Sequence, residues 1–186
     1  MKSFKIIIVL LSLLSFGFSS NKTKVKITSK SEVIIKGKSN INSFECKYNS
    51  GYLEDEILIS VTKNNSRTLL EGAKISIQSK GFDCGHKMIT KDFKALLKTD
   101  DYSHIDINLK ELILDKKEII AKTCIEIAGV KREYEVPVSF DSKNSNVKGV
   151  LRVNIKDFCL KAPKKLLGFV MVDEHVTIDF NLFLQY

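Results

Sequence analysis

Val176-Thr177-Ile178-Asp179-Phe180-Asn181-Leu182-Phe183-Leu184 is the longest alternating run in the chain. Apolar side chains stand at every second position, and Thr, Asp and Asn separate the first four of them. A strand turns successive side chains to opposite faces, so this period describes one buried face and one wetted face. Such patterning belongs to antiparallel sheet, because parallel strands are covered on both faces and read as continuous apolar runs. The same rhythm recurs upstream at 24–27, 57–61, 74–78, 104–109, 123–127, 134–140 and 151–155. Turn signals fall between the runs: Lys63-Asn64-Asn65-Ser66, Asp115-Lys116-Lys117, Gly129-Val130-Lys131 and Lys143-Asn144-Ser145-Asn146. They are short enough to close hairpins.

Two stretches depart from the rhythm. From His86 to Leu97 the apolar residues are Ile89, Phe93, Leu96 and Leu97, the i, i+4, i+7, i+8 spacing of an amphipathic helix. Lys161-Ala162-Pro163-Lys164-Lys165-Leu166-Leu167-Gly168 is expected to hold a short helical turn. The expected fold is mainly β, with eight or more strands, one short α-helix and no domain boundary. A sheet of that size with one apolar face must fold onto itself, and closure into a barrel removes its exposed edges. The interior of an eight-stranded barrel is just wide enough to be filled by side chains or to hold one small ligand.

The N-terminus reads as a separate element. Lys2 and Lys5 give a basic start, Ile6 to Leu14 is almost unbroken apolar sequence, and Gly17-Phe18-Ser19 supplies small residues for a peptidase. This is the pattern of a secretory signal peptide over residues 1–19, with a mature domain at 20–186. The apolar run is too short for a membrane-spanning helix. No Cys lies near the cleavage point, so a lipid-anchored product is not expected. Export, with the periplasm as destination ahead of the extracellular space, removes nucleotide-driven catalysis, gene regulation and RNA binding from consideration.

The chain of 186 residues carries a formal net charge of +8, most of it lysine. Arginine occurs only at Arg67, Arg132 and Arg152, and the lysines are scattered along alternating segments. Nucleic-acid surfaces cluster arginine with aromatic partners, so no nucleic acid is expected. The excess lysine suits a transient contact with an anionic membrane surface. Cys46, Cys84, Cys124 and Cys159 form an even set, which in an exported chain suggests disulfides with three possible connectivities. Cys46 and Cys84 share matched contexts, Phe44-Glu45-Cys46 and Phe82-Asp83-Cys84, and are the favoured pair. Cys124 and Cys159 read about as well as small buried thiols.

No catalytic or metal constellation stands out. There is no G-x-S-x-G elbow, and His86, His104 and His175 are isolated in sequence. Cys84-Gly85-His86 lacks the further ligands that a metal site wants. Asp100-Asp101 reads as a turn after the helix. The reading is therefore not an enzyme, and neither a metal nor a cofactor is expected.

Three stretches carry a family likeness. The first is residues 87–107, Lys87-Met88-Ile89 through Asp92-Phe93 to Tyr102-Ser103-His104-Ile105, a charged helix leading into a strand. The second is Ile127-Ala128-Gly129-Val130-Lys131-Arg132 running on to Val138, and the third is Gly149-Val150-Leu151-Arg152-Val153 to Phe158 with a closing strand. In order and spacing, behind a signal peptide, these resemble the YceI-like family of exported lipid-binding proteins. Tyr102-Ser103 stands where that family usually has Tyr-Pro.

The resemblance implies a lipocalin-like barrel that holds a polyisoprenoid or similar apolar lipid, for carriage or sequestration. It brings no single ligand motif, so lining residues come from alternation. They are Ile105, Ile107 and Leu109; Ile125 and Ile127; Tyr134, Val136 and Val138; Leu151, Val153 and Ile155; and Ile178 with Phe180. Phe93, Leu96 and Leu97 on the helix would cap one barrel end and leave the other as a mouth. The competing reading is a barrel packed shut, acting as a structural or stress-related interaction protein. A homodimer is compatible with either.

Overall fold

The computed structural model describes residues 21–53, 56–115, 118–165 and 170–186. The expected signal segment lies outside the described residues, as do Lys116-Lys117 and residues 166–169. The strands are β1 (Asn21–Ile27), β2 (Glu32–Lys38), β3 (Ser43–Tyr48), β4 (Glu56–Asn64), β5 (Arg67–Glu71), β6 (Lys74–Gln78) and β7 (Phe82–Asp83). After helix α1 (Lys87–Leu96) follow β8 (His104–Asp115), β9 (Glu118–Ile127), β10 (Val130–Asp141) and β11 (Asn146–Asn154). Two-residue strands β12 (Lys164–Lys165) and β13 (Val170–Met171) precede the last, β14 (His175–Gln185).

Eight strands close a ring in the order β1-β4-β5-β8-β9-β10-β11-β14, and β14 returns to β1 through Lys26 opposite Gln185 and Ile27 opposite Leu184. All pairings are antiparallel, as the alternation requires. The ring forks twice. Along β8, β5 pairs with residues 111–113 and β6 with residues 104–108. Along β14, β1 takes the C-terminal end while β2 takes residues 177–181 and carries β3 and β7 beside it. These forks make the two ends of the barrel different.

Local sequence explains the joints. Ala128 and Gly129 both have positive φ, 49° and 78°, and join β9 to β10 as a two-residue hairpin. Positive φ at both positions matches the right-handed twist of the strands. In β8 a bulge between Leu109 and Glu111 adds one residue. Beyond it Leu112 and Leu114, rather than Glu111, face the partners Ala121 and Ile119 that point inward. Of the expected helical turn at 161–168, residues 166–168 lie outside the described residues, and the described part is a correction: Lys164 and Lys165 pair with Met171 and Val170 as strand. The helical turn instead falls at Ile155–Phe158, where the Asn154 side chain accepts a hydrogen bond from the Lys156 N–H at 3.0 Å.

The β10–β11 hairpin is held by Asp141, whose carboxylate accepts from the Asn144 side chain at 2.7 Å and from the Lys143 N–H at 2.9 Å. These bonds, the Asn144 side chain first, hold the Asp141 carboxyl below its ordinary value. A depressed folded pKa means that the stabilisation is complete above the unfolded aspartate pKa of about 3.9 and is lost as pH falls through the lower folded value. Asp141→Asn is expected to flatten the fall of melting temperature in this acid range. An unchanged acid limb would show that the hairpin contributes nothing there.

Candidate ligand cavity

Inside the ring lies a cavity of about 460 Å³. Every strand of the ring contributes to its lining, and among the described residues Thr123 is the one polar member. Fifteen of the sixteen residues expected from alternation and helix spacing line it: Phe93, Leu96, Leu97, Ile105, Ile107, Leu109, Ile125, Ile127, Val136, Val138, Leu151, Val153, Ile155, Ile178 and Phe180. Tyr134 keeps the inward register but is not part of the lining. Its ring stacks on Phe158 at 6.2 Å, and burial pushes its hydroxyl pKa up.

The lining also includes residues that the sequence reading left out. Val176, Leu182 and Leu184 share the register of Ile178 and Phe180, so the opening run already contained them. Leu112 is reached only through the β8 bulge. Val33 and Ile35 come from β2, where Val33-Ile34-Ile35 hides the period of two. Gly149 faces inward between Val147 and Leu151, and the Phe180 ring fills the space its side chain would take: a Cβ there would come within 2.3 Å of the ring. This pairing of an aromatic ring with a strand glycine shapes the wall without closing the interior.

Exposure changes steadily along the barrel axis. On β10 Val136 is 3% exposed, Val138 is half-buried and Phe140 is 45% exposed, all on the inward side. On β8 Ile105 is buried while Leu114 is 58% exposed. The buried end is covered by α1, where Phe93 packs edge-on against Phe82 at 5.5 Å and Leu97 is buried. The other end, ringed by the hairpins after β4, β8 and β10, is the mouth.

The start of α1 is fixed at three points. Cys46 on β3 and Cys84 just after β7 form the disulfide expected from their matched contexts. Thr90 Oγ1 accepts from the Cys84 N–H at 2.9 Å and donates to Asp83 at 3.1 Å. His86 Nδ1 accepts from the Met88 N–H at 3.3 Å and so caps the helix. Cys124 and Cys159 carry free thiols, the latter exposed.

His86, His104 and His175 lie apart, the last two beside Ser103 and Asp173. Asp100 and Asp101 fall in the turn after α1, as expected. Among the described residues no group of three His, Cys, Asp or Glu is placed to hold a metal, and no helix is long and apolar enough to cross a membrane.

Solved structures share this fold, and two of them show how far the likeness extends. BcnA of Burkholderia cenocepacia superimposes with a TM-score of 0.61 at 16% identity, over 84% of this chain and 97% of that one. A polyisoprenoid-binding domain from Saccharophagus degradans, implicated in plant cell wall breakdown, gives 0.55 at 10% identity, over 87% and 97%. At such identities the likeness is one of fold. No curated protein matches the sequence. The YceI-like domain model matches residues 22–184, nearly all of the barrel, and the chain belongs to the YceI-like family.

Proposed function

We infer that this is an exported binding protein whose barrel holds one apolar lipid, of polyisoprenoid type, for carriage or sequestration. The observation that carries the reading is the cavity itself: about 460 Å³, closed at one end, open at the other and lined by apolar side chains apart from Thr123. That volume falls within the 300–1,000 Å³ or so of ordinary ligand sites. Burying a hydrocarbon chain gains about 0.8 kcal/mol per methylene, so such a ligand needs few polar contacts. The Saccharophagus domain, described as polyisoprenoid-binding, supports the same ligand class. The space that side chains leave inside the ring favours this reading over a barrel packed shut. Nothing in the lining suits catalysis, so binding rather than chemistry is the proposed role.

The signal-like segment supports export, to the periplasm or beyond it. At the mouth the exposed Leu114 and Phe140 would meet a membrane surface during transfer, assisted by the surplus of lysine. Val138 lies between the closed end and that mouth. Val138→Phe is expected to fold, at a cost of about 1–3 kcal/mol from overpacking, and to lose uptake of farnesol measured by displacement of a fluorescent fatty acid. Farnesol binding undiminished in the folded variant contradicts a chain-filled barrel.

A further inference from the structure

The wall of the barrel is thin at one place along its side. β4 pairs with β5 only over Ser60–Asn64, and β6 pairs only with β8. Among the described residues no ladder pair joins the first half of β4 to β6, so two strand edges face each other across a gap. The chain crosses there by a turn that needs glycine. Gly72 has φ +81°, and a Cβ on it would come within 2.6 Å of the Leu58 carbonyl oxygen. The turn displaces β6 from the line of β5 and leaves the window beside it.

A groove of about 430 Å³ occupies this gap on the outside of the barrel. Ile27, Leu53 and Ile75 line both the groove and the central cavity. At this place the same side chains border the cavity on one side and the groove on the other, with Ile27 and Leu53 buried between them. The rim mixes polar Glu56, Lys74 and Ser76 with apolar Ile57 and Leu58. It is also ordered by its own contacts. Lys24 pairs with Glu56 at 2.7 Å, Lys74 pairs with Asp106 at 3.0 Å, and Ser76 donates to Asp106. The cavity lining offers one polar side chain, Thr123, already donating to the Tyr134 carbonyl, and the inward residues at the mouth are Leu114 and Phe140. The window is therefore a place where hydrogen-bonding groups held by their own contacts border the apolar interior.

We propose that the window between β4 and β6 receives the polar head of the lipid whose chain fills the cavity. The inference rests on the lipid-binding reading above. Among the described residues the rim's charges form two ion pairs and sum to zero, so it suits an uncharged, hydrogen-bonding head such as a hydroxyl better than a phosphate. The chain lies inward past Ile75, and the head bonds to Lys74 and Ser76 at the surface.

The test uses hexadecanol carrying a photoreactive diazirine beside the hydroxyl, and the isomer carrying it at the far end of the chain. The expected result is head-end adducts on peptides containing Glu56–Leu58 and Lys74–Ser76, with far-end adducts on β10 and β11, both suppressed by excess hexadecanol. Head-end adducts at Leu114 and Phe140 overturn the window while leaving the lipid-binding reading intact. Absence of any suppressible adduct overturns both. A double variant, Lys74→Met with Ser76→Ala, gives an independent readout. It is expected to bind hexadecanol about tenfold more weakly and hexadecane unchanged. Equal loss for both ligands means that the rim acts only on the fold, and overturns the proposal.

Discussion

Replacing Cys46 and Cys84 together by serine is expected to cost about 4 kcal/mol, the loop-closure value for the 38-residue separation they bridge. The loss should not be spread evenly. The disulfide ties β3 to Cys84, whose N–H donates to Thr90 Oγ1 in the first turn of α1, and α1 is what closes the barrel. Without the bridge, amides of α1 should exchange with solvent sooner than those of β9 and β10, as local opening falls below global unfolding in free energy. Hydrogen exchange checks this directly. Equal protection of α1 in the bridged and unbridged proteins would mean that packing of Phe93 on Phe82 holds the closed end by itself.

Val153→Asp should have an effect as large, by a different route. Val153 is 2% exposed on the inward face of β11, and the described side chains around it are apolar. An unpaired carboxylate there costs several kcal/mol, or stays protonated with a strongly raised pKa. Val150 is on the same strand but faces outward and is 58% exposed. Val150→Asp should change stability by about 0.5 kcal/mol or less. Denaturant midpoints of the two variants measure the difference between the faces. Similar midpoints would contradict the register from which the cavity is built.

That register was the most legible part of the fold. The run at Val176–Leu184 has a polar residue between nearly every apolar pair, so its face assignment needs only the sequence. The helix was equally plain, because Ile89, Phe93, Leu96 and Leu97 fit a helical face and no strand. Segments with adjacent apolar residues were not legible. Val33-Ile34-Ile35 in β2 and Leu69-Leu70 in β5 break the alternation, since Ile34 and Leu69 lie on the outer face. The second half of β8 was hidden by the bulge at Lys110, which shifts the inward positions by one residue. β3 was readable in principle: Phe44, Cys46 and Tyr48 alternate with Glu45 and Lys47.

The cavity's lining followed from alternation, but its emptiness did not. Whether inward side chains meet across a barrel depends on strand tilt and on the forks at β8 and β14, which bring together residues far apart in the chain. Tyr134 shows the limit at one position. Its parity is inward, yet it lies under Phe158, which reaches it from the turn after β11. The side window is beyond sequence reading for the same reason, because it exists only where β6 leaves the line of β5.

On the proposed function, the barrel carries a lipid chain. Protein purified without detergent from the cells that make it, extracted with organic solvent and examined by mass spectrometry, tests that claim most directly. The expected extract holds one apolar, chain-bearing molecule in near-stoichiometric amount, and that molecule is absent from Val138→Phe prepared in parallel. Wild-type protein that yields no such molecule, and that takes up no prenyl lipid when titrated with it, would contradict the account.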